Sequence, residues 1–214
     1  MAHGSESILS QMTSLFQSVV GTGSTFPTIK IRSQVDGQEY RVRDLPDKQY
    51  AADMLANLRL NLGKLTDALA QAFPNKPQVQ RLVQNFRAEP SRFYESTPDS
   101  EHTSYSVNKG ESVHFCLRQR DSAERLVDQN VMMFVALHEM AHMLTKSVGH
   151  EPEFWNNFGW LLREAESRNL YRPTDFKSQP VTYCGVQITD SPKYDPTRDN
   201  EKSGTDFSFG KLFS

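Results

Sequence analysis

Two histidines four residues apart enclose a glutamate in the run His138-Glu139-Met140-Ala141-His142. On a helix, side chains four apart project from one face, one turn apart, so both imidazoles can reach a single ion at about 2.0–2.1 Å. Glu139 follows the first histidine and points beside the ion, where a carboxylate can accept a proton from metal-bound water. Zinc lowers the pKa of such water to about 7, within reach of a carboxylate base. The competing reading is two core histidines beside an incidental glutamate. Three titratable side chains in an otherwise apolar helix are costly unless something binds them, and that favours the metal.

A catalytic zinc usually takes three protein ligands and leaves one position to water. His150 lies just past Gly149, where the chain can reverse and bring a third imidazole under the ion. It also stands where the next helix begins, and the positive end of that helix favours a neutral, ligating ring. The rival ligand is a glutamate from that helix, Glu164 or Glu166. The position of His150 in the break favours the histidine.

A helix must carry the motif, and residues 127 to 146 supply one. Val131 to Leu137, Met140, Ala141, Met143 and Leu144 make it apolar nearly all round, as expected of a helix in the middle of a domain. Val148-Gly149 ends it. A second helix opens near Pro152 between Glu151 and Glu153, with Phe154, Trp155, Phe158, Leu161, Leu162 and Ala165 on its packing face. Upstream, residues 28–32 and 38–43 alternate around Asp36-Gly37 as a β-hairpin. A helix follows Pro46-Asp47 with Tyr50, Met54, Leu58, Leu62, Leu65 and Leu69 along its stripe, and another covers residues 78 to 87. Residues 88–104 are polar, contain two prolines and read as a loop. Residues 105–107 and 113–117 then flank Asn108-Lys109-Gly110 as a second hairpin. Past Tyr171 the chain reads as irregular apart from the short apolar piece from Val181 to Ile188. Residues 6 to 20 show helical spacing without the lysines or arginines of a membrane-surface helix. The expected organisation is an N-terminal amphipathic segment and linker (1–24), one domain (25–190) and a flexible C-terminal tail (191–214).

With 214 residues the chain suits one domain with a real core better than two. Its net charge of -2 provides no broad electrostatic footprint for nucleic acid. No apolar run is long enough to form a membrane-spanning helix. Cys116 and Cys184 make neither a disulfide framework nor a Cys-x-x-Cys zinc knuckle. A soluble, intracellular protein of the cytoplasm or nucleus is therefore expected.

The string Leu137-His-Glu-Met-Ala-His142, followed by Gly149-His150-Glu-Pro-Glu-Phe154, resembles the SprT/Wss1-like (WLM) group of small zincin metallopeptidases. The stretch from Pro180 to Asp190 is also similar to WLM-type proteins of large DNA viruses. The resemblance implies that His138, His142 and His150 bind Zn2+ and that Glu139 is the general acid/base. It implies an α+β, minimal zincin-like fold, with a small twisted sheet packed on a buried active-site helix and a second helix after the third ligand. It also implies a sheet edge that holds extended substrate by strand addition, for which residues 113–117 are the candidate. The modules by which relatives engage DNA, such as a second zinc motif or a basic tail, are not recognisable in this sequence.

The expected activity is zinc-dependent hydrolysis of peptide bonds in a protein or peptide substrate, with Glu139 as general base. Tyr183 is the candidate for stabilising the oxyanion, its alternative being a core-edge tyrosine. Cys184 reads either as a thiolate that holds the zinc and keeps the enzyme latent or as a buried thiol. His102 and His114 read as structural or solvated, and Trp155 and Trp160 as packing residues. The alternatives are a non-catalytic, zinc-stabilised protein-binding module and a zinc hydrolase of a non-peptide bond. Glu139 favours an enzyme, because a structural site needs no base.

Overall fold

Residues 25–197 are described in a computed structural model of the chain. The amphipathic segment expected at residues 6 to 20, and the tail from residue 198, lie outside them. β1 (Thr28–Arg32) and β2 (Glu39–Arg43) pair antiparallel, with Gly37 in the connecting turn at φ +69°. Alternation turns Tyr40 and Val42 into the core and leaves Arg41 outside. α1 (Lys48–Ala72) buries Ala51, Leu55, Leu58, Leu62, Leu65 and Leu69, a stripe at helical spacing that packs across the sheet. α2 (Pro77–Asn85) begins on a proline and turns Val79 and Leu82 inward.

The loop expected at residues 88–104 is corrected by β3 (Phe93–Glu95), which runs parallel to both of its neighbours in the sheet. Three residues are too few for alternation to show in the sequence, and the pairing that creates the strand is long-range. β4 (Tyr105–Val107) and β5 (Ser112–Phe115) form the second hairpin, whose turn holds Asn108, Lys109 and Gly110 at positive φ. The sheet order is β1-β2-β3-β5-β4. Its edges are therefore β1 and β4, and β4 is the one that borders the histidine motif. The segment 113–117, expected at the edge, begins inside β5, which is flanked on both sides.

α3 (Gln129–Leu144) carries the histidine motif. Every residue from Met132 to Ala141 is buried, so this helix is the centre of the molecule. The Asp128 side chain caps its start, accepting from the N–H groups of Asn130 at 2.8 Å and Val131 at 3.1 Å. α4 (Pro152–Ser167) lies against it, with Phe154, Phe158, Leu161 and Ala165 fully covered.

β6 (Val181–Tyr183) and β7 (Val186–Ile188) form a separate small hairpin. Cys184 in its turn is disulfide-bonded to Cys116, which follows β5. This corrects the expectation of two separate thiols. The Cys184 sulfur is not free to hold a metal, and cysteine usage does not support the expected intracellular location. No helix among the described residues is long and apolar enough to cross a membrane. Lys193, Tyr194 and Asp195, expected in the tail, lie against α4. The Asp195 N–H donates to Asn156 Oδ1 at 3.0 Å, and the Arg163 guanidinium covers the Tyr194 ring at 4.2 Å. Gly159 permits this approach, since a Cβ there would stand 2.8 Å from the Lys193 carbonyl carbon.

Candidate metal centre

His138 Nε2 lies 3.3 Å from His142 Nε2 and 3.1 Å from His150 Nε2. A tetrahedral ion with bonds of about 2.0–2.1 Å holds its ligands roughly 3.3 Å apart, so the spacing fits one coordination triangle. It is the one grouping among the described residues whose side chains could hold an ion. The rival Glu164 is instead hydrogen bonded to Arg168 at 2.7 Å, and neither it nor Glu166 joins the cluster.

The end of α3 is held firmly, and that fixes the triangle. A helix terminus leaves carbonyls without partners. Here the Thr145 hydroxyl donates to Ala141 O at 2.7 Å, Asn85 Nδ2 to Met143 O at 2.7 Å and Arg81 Nε to Leu144 O at 2.8 Å. Lys109 Nζ, from the β4–β5 turn, reaches Thr145 O at 2.9 Å. Two of these donors are cations at the negative end of the helix dipole. Gly149 then reverses the chain at φ +82°. The Glu153 carboxylate accepts from the N–H groups of Lys146 and Ser147 at 3.2 and 3.1 Å, tying the turn to α4. His150 is carried back toward α3 as a result.

Phe154 is fully buried and meets all three imidazoles, at 4.9, 4.3 and 4.7 Å between ring centres. Trp155 stacks on His150 at 5.4 Å and 27°. This apolar floor removes water from the rings. Burial, followed by the neighbouring histidines, holds His138 well below the ordinary histidine value. Burial pushes His142 down to about 4, with His150 and Lys109 adding to the effect, and burial also lowers His150. All three are neutral near pH 7, the form that binds a metal.

Glu139 is buried beside them, and burial pushes its carboxyl up to about 8 against hydrogen bonds from the hydroxyl and the N–H of Ser106. An N–H given to Glu139 takes no part in the ladder with β5, so the carboxylate stands at the free edge of β4. The site opens on a cavity of ≈ 360 Å³, lined by the three histidines and Glu139 together with His102, Tyr105, Ser106 and Lys109. A larger cavity of ≈ 450 Å³, walled by Asn57, Asn61, Asn130 and Tyr171 among others, includes none of the motif residues. Size does not mark the chemistry here.

The sequence profile of the WLM domain matches residues 76–210, which is more than half of the chain. The chain belongs to the WLM family. An uncharacterised protein of Acanthamoeba polyphaga mimivirus is 30% identical over 160 residues, covering 74% of this chain and 81% of that protein. An uncharacterised protein of Invertebrate iridescent virus 3 is 40% identical over 39% of the chain, a match that spans 50% of the viral protein. Another, from Invertebrate iridescent virus 6, is 36% identical over 38% of the chain and 44% of its own length. No solved structure matches the chain.

Within this WLM domain, His138, His142, His150 and Glu139 come together, and Tyr183 does not join them at the cavity. Tyr183 is fully buried, with its hydroxyl 2.6 Å from Ser104 Oγ and donating to Cys116 O at 2.8 Å. Ser104 in turn accepts the Cys116 N–H at 3.0 Å, so the β6–β7 hairpin is fastened just ahead of β4. His114 is stacked between Tyr94 and Tyr105, whereas His102 lines the WLM cavity. Trp160 is buried against Phe73. Sequence reasoning missed Ser106 and Lys109. The alternation of the second hairpin was the available signal, because it turns Ser106 to the face opposite Tyr105.

Proposed function

We propose that the chain is a zinc-dependent peptidase acting on extended segments of protein or peptide. One observation carries the reading: three converging neutral imidazoles and an adjacent buried carboxylate share a cavity at a free strand edge. The donor set fits zinc, which accepts three histidine nitrogens and keeps a position open. When bound, zinc supplies Lewis acidity toward a substrate carbonyl and toward water near neutral pH.

The chain's own residues do the rest. His138, His142 and His150 present their Nε2 lone pairs, and Phe154 and Trp155 hold the planes of those rings. Glu139 takes the proton of the attacking water on its carboxylate and returns it to the leaving nitrogen. Ser106 holds that carboxyl in place; burial alone favours its protonated form, and a cation held by the three imidazoles would favour the ionised form that accepts a proton. The edge of β4 offers the Ser106 carbonyl to an extended segment, which orients it past the carboxylate. Tyr183 acts as a positioning group, through the contacts that fasten Ser104 ahead of β4.

The test is digestion of an unfolded protein by the zinc-loaded chain. Cleavage should stop on adding a chelator and return with zinc. Stoichiometric zinc with no cleavage would leave the protein a zinc-stabilised binding module, and turnover confined to non-peptide esters or amides would make it a different hydrolase.

A further inference from the structure

One row of side chains crosses all five strands on the sheet face turned away from the helices. The register pairs Lys30 with Arg41, Arg41 with Tyr94, Tyr94 with His114, and His114 with Tyr105. The last three are flat rings stacked side by side. Tyr94 and His114 lie 4.9 Å apart at 13°, and His114 and Tyr105 lie 4.6 Å apart at 5°. Both faces of His114 are thus covered, whereas Tyr105 belongs to the edge strand and is among the residues that border the cavity.

We infer that the substrate residue lying directly opposite Tyr105 is aromatic, its ring extending this stack by one member. The inference rests on the peptidase reading and on strand addition at β4. Neighbouring strands lie about 4.7–4.9 Å apart, which is also the spacing of the stacked rings. A ring on an added strand in the same row therefore falls at stacking distance without adjustment. The Ser106 N–H points outward, to Glu139, so the Ser106 carbonyl is the main-chain group that β4 offers to an added strand. In an antiparallel ladder the adjacent residue, Tyr105, then faces its new partner as a non-hydrogen-bonded pair, the kind with the closer side chains. The selected residue is one removed from the residue beside Ser106 and Glu139, so its place relative to the cut bond is constant. His102 meets Tyr105 at 6.1 Å and 62° and lines the same cavity, adding an imidazole next to the incoming ring.

The experiment maps cleavage sites in an unfolded protein by mass spectrometry, using the zinc-loaded full chain. It then measures kcat/KM for peptide pairs that differ as Phe against Leu at the enriched position. Wild type should prefer the aromatic peptide by about three- to tenfold. Tyr105→Leu should bring that ratio close to one, and Tyr105→Phe should keep it. Zinc content and the far-UV spectrum of the Leu variant confirm that it is folded, and Tyr105→Thr, a strand-forming residue without a ring, carries the comparison if it is not. Cleavage without aromatic enrichment at any fixed position overturns the inference and leaves the peptidase reading intact, whereas absence of all cleavage removes the peptidase reading itself. A ratio that survives in Tyr105→Leu assigns selection to another surface. Competition by a single-stranded oligonucleotide that is lost in Tyr105→Leu would assign the ring face to a nucleobase instead.

Discussion

Two of the buried polar clusters among the described residues are built on opposite plans. In one, Arg118 donates to Glu95 at 2.8 Å and to Asp47, and the Arg43 N–H gives Glu95 a further bond at 2.7 Å. The Arg43 guanidinium pairs with Glu124 at 2.7 Å. Burial raises the Glu95 pKa, and Arg118 is the first group to oppose that rise. In the other cluster, Glu139 meets a hydroxyl and an amide where Glu95 meets a guanidinium, and its neighbours are neutral imidazoles. The first cluster supplies its own counter-charges, although Arg118 Nη2 is buried without a hydrogen-bond partner. The second holds three donors that could take a cation and no fixed positive side chain against its carboxyl, and that contrast underlies the proposed division between structural and chemical burial of charge.

The sharpest way to break the comparison is to unpair the first cluster. Glu95→Ala leaves Arg118 buried beside a missing partner and should cost about 3–5 kcal/mol in denaturant unfolding, with zinc affinity nearly unchanged. A cost near zero would mean that the cluster is not a lock. On the metal side, His150→Ala should lower zinc affinity more than the roughly 10–100-fold typical of outer-shell changes, as read by chelator competition. Glu164→Gln should leave affinity within a few-fold, and the reverse pattern would move the third ligand to α4.

A smaller effect follows from protons in the metal-free protein. The Glu139 pKa is raised to about 8 on folding, so its contribution is fully present below the unfolded carboxylate value and fades as pH rises toward 8. Metal-free Glu139→Gln should therefore outlast metal-free wild type at pH 8 by roughly 1–3 kcal/mol, and the gap should close toward pH 4.5. The histidines act in the other direction. Their pKa values fall on folding, so metal-free stability should decline as pH drops from about 6.5 toward 4, where His142 titrates. Thermal melts across that range give both slopes, and a flat profile would contradict the burial argument. The smallest change is Lys109→Met. Loss of its bond to Thr145 O should cost about 1 kcal/mol and weaken zinc binding a few-fold, because it holds the turn that leads to His150.

The centre was more legible in the sequence than the sheet. His138, Glu139 and His142 were readable because helical spacing is local, and Gly149 marked the reversal that brings His150 in. Local signals could not reveal β3, whose three residues become a strand only by pairing with β2 and β5. The Cys116–Cys184 bond was hidden for a related reason, since 68 residues of sequence separate its ends and nothing local announces the pairing. Residues 113–117, the expected edge, begin in a strand flanked on both sides, because position in a sheet depends on neighbours rather than composition. Ser106 and Tyr105 gain their meaning only from that position.

One measurement bears on the central claim more directly than the rest: zinc content and cleavage of an unfolded protein, determined together for wild type and Glu139→Gln. The variant should bind one zinc per chain as wild type does while its cleavage rate falls by about 10²–10⁴-fold, the usual contribution of a positioned base. Cleavage at the wild-type rate with zinc fully bound would contradict the role given to Glu139, and with it the reading of the buried carboxylate as the working part of the site.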